Sequence, residues 1–151
     1  PVVGKASGII QSSSDKLFSF IGNDLLDNYP RWSPEVKELE KLTEGPVQHG
    51  TLCRQVRIDQ GNRSESTFKV KIFESGTRIC FEGVSNPYRC DYVIEPINGS
   101  DSRLTFIFEL LSLDLHVRPF EKLVRIAVQD GTERTVKNIK KLIEAQQADS
   151  N

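Results

Sequence analysis

The stretch SRLTFIFELLSLDLHVRPFEKLVRIAVQDGTERTVKNIKKLI, residues 102–143, changes its hydrophobic period once, and the change falls between a strand and a long helix. Over the first nine residues Leu104, Phe106, Phe108 and Leu110 alternate with Thr105, Ile107 and Glu109, the period of two that a half-buried strand requires. From Arg118 onward Phe120, Leu123, Val124, Ala127, Val128, Val136, Ile139, Leu142 and Ile143 fall on one helical stripe. Glu121, Lys122, Glu133, Lys137 and Lys140 lie opposite. The stripe reaches to Gln147, about 30 residues, or about 45 Å at 1.5 Å per residue. Gly131 interrupts it at a cost of about 1 kcal/mol against Ala. It marks either a kink or break in the helix, or the close approach of a ligand or a strand.

Upstream, from Val36 to Leu115, the chain reads as consecutive strands. Glu44-Gly45-Pro46, Asp59-Gln60-Gly61-Asn62, Ser75-Gly76, Ser85-Asn86-Pro87 and Asn98-Gly99-Ser100-Asp101 are its turns. They recur too closely for crossover helices, which predicts an antiparallel meander. Phe68, Val70 and Ile72 share one face, as do Ile79 with Phe81 and Tyr92 with Ile94. In the run before Asp59, Leu52, Val56 and Ile58 share a phase, and Arg54 falls in it. The first ten residues read as a further strand. Ser12-Ser13-Ser14-Asp15 then supplies helix N-cap oxygens, followed by Leu17, Phe18, Ile21, Leu25 and Leu26 at helical spacing. Pro30 and Pro34 limit that segment to two short helices around Asn28–Trp32.

These elements predict one α+β domain over residues 1–151. A curved antiparallel sheet of six to seven strands wraps around the long C-terminal helix, with two short helices after the first strand. One helix cannot cover a flat sheet's apolar face, so the sheet must curl. A curled sheet is hard to fill completely, which predicts an apolar cavity of the kind that receives small molecules.

Composition narrows the classes further. With 37% hydrophobic and 27% charged residues and a formal net charge of −1, the chain is an ordinary globular one with no global field toward nucleic acid. Cys53, Cys80 and Cys90, an odd set without CxxC spacing, suit neither a disulfide framework nor structural zinc. His49 and His116 have no ligand-spaced partner, so no metal and no cofactor are expected. No apolar run is long enough for membrane insertion. The absence of a leader-like N-terminus gives the expectation of a cytoplasmic protein.

Ser14-Asp15-Lys16-Leu17-Phe18-Ser19-Phe20-Ile21, then Asn28-Tyr29-Pro30-Arg31-Trp32-Ser33-Pro34, is similar to the opening of the polyketide cyclase/dehydrase branch of the START-like (SRPBCC) superfamily. Gly45-Pro46 to Gly50-Thr51, Tyr92 to Pro96 and the SRLTFIFEL run match the same branch, so the resemblance covers nearly the whole chain. It implies the helix-grip fold, shared with the birch-pollen-allergen type. It also implies a role in binding or transforming hydrophobic molecules such as polyketides, quinones, lipids and hormones.

Candidate site residues follow from both readings. The resemblance places Trp32 at the cavity mouth as a ligand contact; on its residues alone Trp32 is equally an anchor for the short helices. Arg54, inward by phase, either meets a ligand carbonyl or carboxylate or reaches solvent at a strand end or bulge. In aromatase/cyclase members an inward arginine positions the polyketide, although that position aligns nearer Lys69–Lys71. Tyr92 offers a hydroxyl that orients a ligand, acts as a general acid, or is satisfied within the packing. Phe68, Phe81, Phe106 and Phe108 supply the aromatic wall. No GxSxG, P-loop, HExxH or dinucleotide fingerprint is present. The function expected is binding of a hydrophobic small molecule that is polyketide-, lipid- or quinone-like. The alternative is a polyketide cyclase or dehydratase.

Overall fold

The computed structural model describes residues 1–150, Ser150 by its backbone only. Its strands are β1 Val2–Ile10, β2 Val36–Lys41, β3 Leu52–Asp59, β4 Asn62–Glu74, β5 Arg78–Gly83, β6 Tyr88–Pro96 and β7 Ser102–Leu110. They form one 7-stranded sheet in the order β1-β7-β6-β5-β4-β3-β2, with every neighbouring pair antiparallel. Between β1 and β2 lie α1 Ser14–Phe18, a π-helical turn Ser19–Asn23 and α2 Leu25–Trp32. A 3-10 turn at Arg118–Phe120 leads into α3, Glu121–Ser150. This is the helix-grip arrangement. The strands end at Leu110 rather than Leu115, because Asp114 begins a turn whose carbonyl accepts from Val117 N at 2.9 Å.

The first short helix forms where its cap is. Ser13 Oγ accepts from Lys16 N at 3.3 Å and starts α1, while Ser102 Oγ donates to Ser12 O at 2.8 Å and fixes that start to β7. Asn28 Nδ2 donates at 3.0 Å to Phe20 O in the π turn. Helix α2 contains Pro30 and stops at Trp32, because Pro34 disfavours helical backbone at Ser33.

Register shifts at Val36/Glu38 and Val70/Ile72 bend the sheet. The second also reverses the phase of β4. Phe68 and Val70 are buried in the core, but Ile72 pairs with Cys80 on the convex side. Phe73 takes the concave side and meets Phe18 edge-on at 5.1 Å. The expectation that Ile72 shares a face with Phe68 fails on this one extra residue.

Helix α3 is unbroken through Gly131, and the close approach it makes to a strand lies elsewhere. A Cβ on Gly4 would press against Thr132 Oγ1 and lie 2.8 Å from Val128 Cγ1, and one on Gly8 would lie 3.0 Å from Val136 Cγ1. Only glycine lets β1 and α3 meet at this depth. The free edge of β1 is closed by the same helix. Lys5 N donates to Gln129 Oε1 at 3.1 Å, and Gln129 Nε2 returns a bond to Lys5 O at 2.9 Å. Lys140 Nζ donates to Ile9 O at 2.7 Å, and Gln11 N donates to Glu144 Oε2 at 3.0 Å.

Gly4→Ala is therefore expected to destabilise the protein by about 1–3 kcal/mol through overpacking, read in urea melts. Gly99→Ala, with nothing within 4 Å of its Cβ, should be near neutral. A harmless Gly4→Ala would mean that α3 is not seated on β1 as described. The edge closure also carries a pH signature. Burial raises the Glu144 carboxyl, but the bonds from Lys140 and Gln11 N outweigh it and hold it below its ordinary 4.5. A carboxylate with a depressed folded pKa stabilises fully above its unfolded pKa, and that contribution is lost as pH falls through the folded value. The stability difference between wild type and Glu144→Gln should thus be largest near neutral pH and shrink as the pH falls below the ordinary glutamate range.

Candidate functional site

A cavity of about 490 Å³ lies between the concave face of the sheet and α3. Its two sides differ. Phe106, Phe108 and Leu110 of β7, with Val124, Ala127 and Val128 of α3, make an apolar side. Gln55, Arg57 and Asp59 of β3, with Ser64 and Ser66 of β4, make a polar one. Tyr29 and Trp32 of α2 and Tyr88, Cys90 and Tyr92 of β6 are on the wall as well, and α3 adds Thr132, Arg134, Thr135 and Asn138 to it.

Four of the expected residues, Trp32, Tyr92, Phe106 and Phe108, are on this wall. Trp32 is both anchor and wall. It is 1% exposed, packs 5.6 Å from Tyr29 and 5.7 Å from Tyr92, and its carbonyl accepts from Asn138 Nδ2 of α3 at 3.0 Å. Tyr92 stacks on Phe106 at 4.6 Å. Phe68 and Phe81 are fully buried behind the wall rather than on it. They stack on each other at 4.3 Å and support Tyr29 at 6.2 and 5.6 Å.

Arg54 points the other way. Its Nε donates to Glu65 at 2.6 Å and its Nη1 lies 3.7 and 3.8 Å from Glu38 and Glu40, on the outer face of the sheet. The apolar residues of β3 are on that outer face, so reading the inward phase from them inverts it. Cys53, Gln55 and Arg57 face inward instead. Gln55 and Arg57, together with Tyr29 and Tyr88, are among the wall residues that sequence reasoning did not single out. The available signal was a polar series, Gln55 and Arg57, alternating with Val56 and Ile58.

Arg57 is the inward arginine, and it is heavily engaged. Nε and Nη2 grip Asp59 at 3.2 and 3.1 Å, and Nη1 donates to Tyr29 Oη at 3.1 Å and Ser33 Oγ at 3.3 Å. Burial works against its charge, yet the Tyr29 oxygen and the Asp59 carboxylate outweigh it and raise its pKa above the ordinary arginine value. Burial also pushes the Tyr88 phenol up to about 12 and holds Tyr29 and Tyr92 well above the ordinary phenol range. All three are neutral hydroxyls at physiological pH. The Cys90 thiol on the wall is likewise raised by burial and stays protonated. Gln55 Nε2 donates to Tyr88 Oη at 2.9 Å, while Gln55 Oε1 is buried without a partner. Among the described residues no three His, Cys, Asp or Glu side chains gather as a metal site.

The profile of the family described as polyketide cyclase / dehydrase and lipid transport matches residues 5–144. The chain belongs to that family. No curated protein is significantly similar to it in sequence. Among solved structures, TTHA0849 from Thermus thermophilus superposes with a TM-score of 0.74 at 17% identity, over 95% of this chain and 98% of that one. A START superfamily protein from Mycobacterium smegmatis gives 0.72 at 16%, over 97% and 99%. The Zhui aromatase/cyclase from Streptomyces sp. R1128 gives 0.74 at 13%, over 94% and 93%. At these identities the likeness is one of fold.

The two arginines of β3 should separate cleanly in experiment. Arg57→Met removes donors from Tyr29, Ser33 and Asp59 and is expected to cost about 1–3 kcal/mol in a urea melt. Arg54→Gln should leave the binding of any cavity ligand unchanged. A loss of affinity in Arg54→Gln with Arg57→Met silent would reverse the assignment of faces.

Proposed function

We propose that the protein binds a hydrophobic small molecule, polyketide-, lipid- or quinone-like, in the cavity between the sheet and α3. The observation that carries the reading is the cavity itself: about 490 Å³, with one apolar side and one polar side. That volume is within the roughly 300–1,000 Å³ of small-molecule sites, and a few placed polar groups against apolar walls are what such sites use to orient a ligand. Trp32, Tyr92, Phe106 and Phe108 would contact the ligand, with Phe68 and Phe81 stiffening the wall behind them. The family to which the chain belongs accords with this role. No helix among the described residues is long and apolar enough to cross a membrane, and three free, buried thiols accord with a cytoplasmic setting.

A ligand burying a few hundred Å² gains several kcal/mol at about 25 cal/mol per Å², offset by association costs of similar size, so affinity near micromolar is expected. Gly131 provides the decisive variant. Its Cβ position is 3.7 Å from the nearest atom, Arg134 Nη2, so a side chain can start there without a clash. Gly131→Phe should fill the cavity and abolish binding of an environment-sensitive apolar dye. Thermal stability should hold or rise, by up to about 1 kcal/mol, because a helix-interior glycine is removed. A folded Gly131→Phe protein that still binds the dye as wild type does would rule out the cavity as the site.

A further inference from the structure

Every tyrosine in the chain stands on the wall of this cavity, and each commits its oxygen to a nitrogen donor. Tyr29 Oη accepts from Arg57 Nη1 at 3.1 Å, Tyr88 Oη from Gln55 Nε2 at 2.9 Å and Tyr92 Oη from Trp32 Nε1 at 3.3 Å. A phenol oxygen that accepts an N–H still carries its own hydrogen. For Tyr88 that hydrogen has Ser66 Oγ within 3.4 Å. Tyr29 and Tyr92 give no hydrogen bond through their hydroxyls to any described residue, though the rings are 4% and 1% exposed. An N–H bonded to the oxygen also polarises the O–H and makes it a stronger donor. Burial keeps both phenols protonated at any ordinary pH.

The charges on the wall do not favour an anion. Glu35, Arg57, Asp59 and Arg134 are its acidic and basic side chains, two of each sign. Arg57 already holds Asp59 through two nitrogens and Tyr29 and Ser33 through the third, which leaves one N–H uncommitted. Arg134 is exposed to solvent, where an ion pair contributes little. The carboxylate of a fatty acid would enter without a free buried cation to meet it.

We infer that the cavity selects uncharged molecules by their carbonyl oxygens, which Tyr29 and Tyr92 hydrogen-bond through their phenol hydrogens. Arg57 and Trp32 are positioning residues in this scheme: each fixes one phenol oxygen and so aims its hydrogen. The ligand class is a neutral ketone or quinone, in preference to an acyl chain ending in a carboxylate. This rests on the binding role proposed above and narrows it.

The test uses the full chain and three probes of one shape: fluorene, 9-fluorenone and fluorene-2-carboxylate. Affinities are measured by displacement of an apolar dye and by calorimetry, for wild type, Tyr29→Phe and Tyr92→Phe. Fluorenone is expected to bind tighter than the carboxylate. Each Phe variant should weaken fluorenone about threefold to tenfold, the range of one neutral hydrogen bond, and leave fluorene within about twofold. A structural role for the phenols would weaken both probes together. Should a variant fail to fold, the carbonyl stretch of fluorenone bound to wild type reads the bond directly, and it should lie below its frequency in hexane. An unshifted stretch, a fluorenone-to-fluorene ratio unmoved by both substitutions, or tighter binding of the carboxylate would each overturn the inference while leaving the binding role intact. If neither the dye nor any of the three probes binds, the binding role falls and takes the inference with it.

Discussion

Helix α3 rests against β1 with no strand side chain between them, at Gly4 and Gly8, and most of the architecture depends on that contact. β1 is the edge strand beside β7, so the helix is anchored at one margin of the sheet rather than over its middle. One sector of α3, around Val128, Thr132 and Val136, is pressed to the strand. The neighbouring sector, carrying Ala127, Gly131, Thr135 and Asn138, is left facing the concave surface with nothing of its own chain to fill the gap. The cavity is thus the geometric remainder of an off-centre helix. Gln129, Lys140 and Glu144 bind the backbone groups that an edge strand would otherwise present to another chain, so one element covers the core and closes the edge.

Much of this is legible in the sequence, and the failures have physical causes. The change of period near Arg118 locates α3, and the alternation in β5, β6 and β7 assigns their faces correctly, because apolar residues there line the concave side. β3 misleads for the opposite reason. Its concave face bears Gln55 and Arg57 on a cavity wall, and its convex face bears Val56 and Ile58, so the rule that apolar means inward breaks where the cavity is polar. In β4 a single register shift reverses the phase after Val70, which pattern reading cannot see. Gly131 stands out in the sequence for its helix cost, but the glycines that admit the helix are in the first strand, where small residues look ordinary.

Charge is distributed to match. The convex face carries the ion pairs: Arg78 grips Asp91 through two bonds at 2.9 and 2.7 Å, and Arg89 bridges Glu82 at 2.6 Å and Glu109 at 3.5 Å. These cross-strand pairs link β5, β6 and β7 on the side away from the cavity, with buried Asp91 held by a half-exposed arginine. On the concave side Arg57 sits beside its own counter-ion, Asp59. The sheet therefore separates a charged outer face from an interior whose polar groups are mainly uncharged hydroxyls and amides.

The placement of Trp32 has an optical consequence. It is the only tryptophan, and every tyrosine shares the cavity wall with it, Tyr29 and Tyr92 with ring centres within 6 Å of its own. Ultraviolet absorption by those phenols can pass by resonance transfer to one indole, which is almost sealed from water and whose N–H is held by Tyr92. Emission from the whole chain thus originates at a single point on the cavity wall, and its colour and lifetime report what occupies the space beside it. The protein carries its own fluorophore at the place where occupancy matters, so neither label nor added dye is needed to watch the cavity fill.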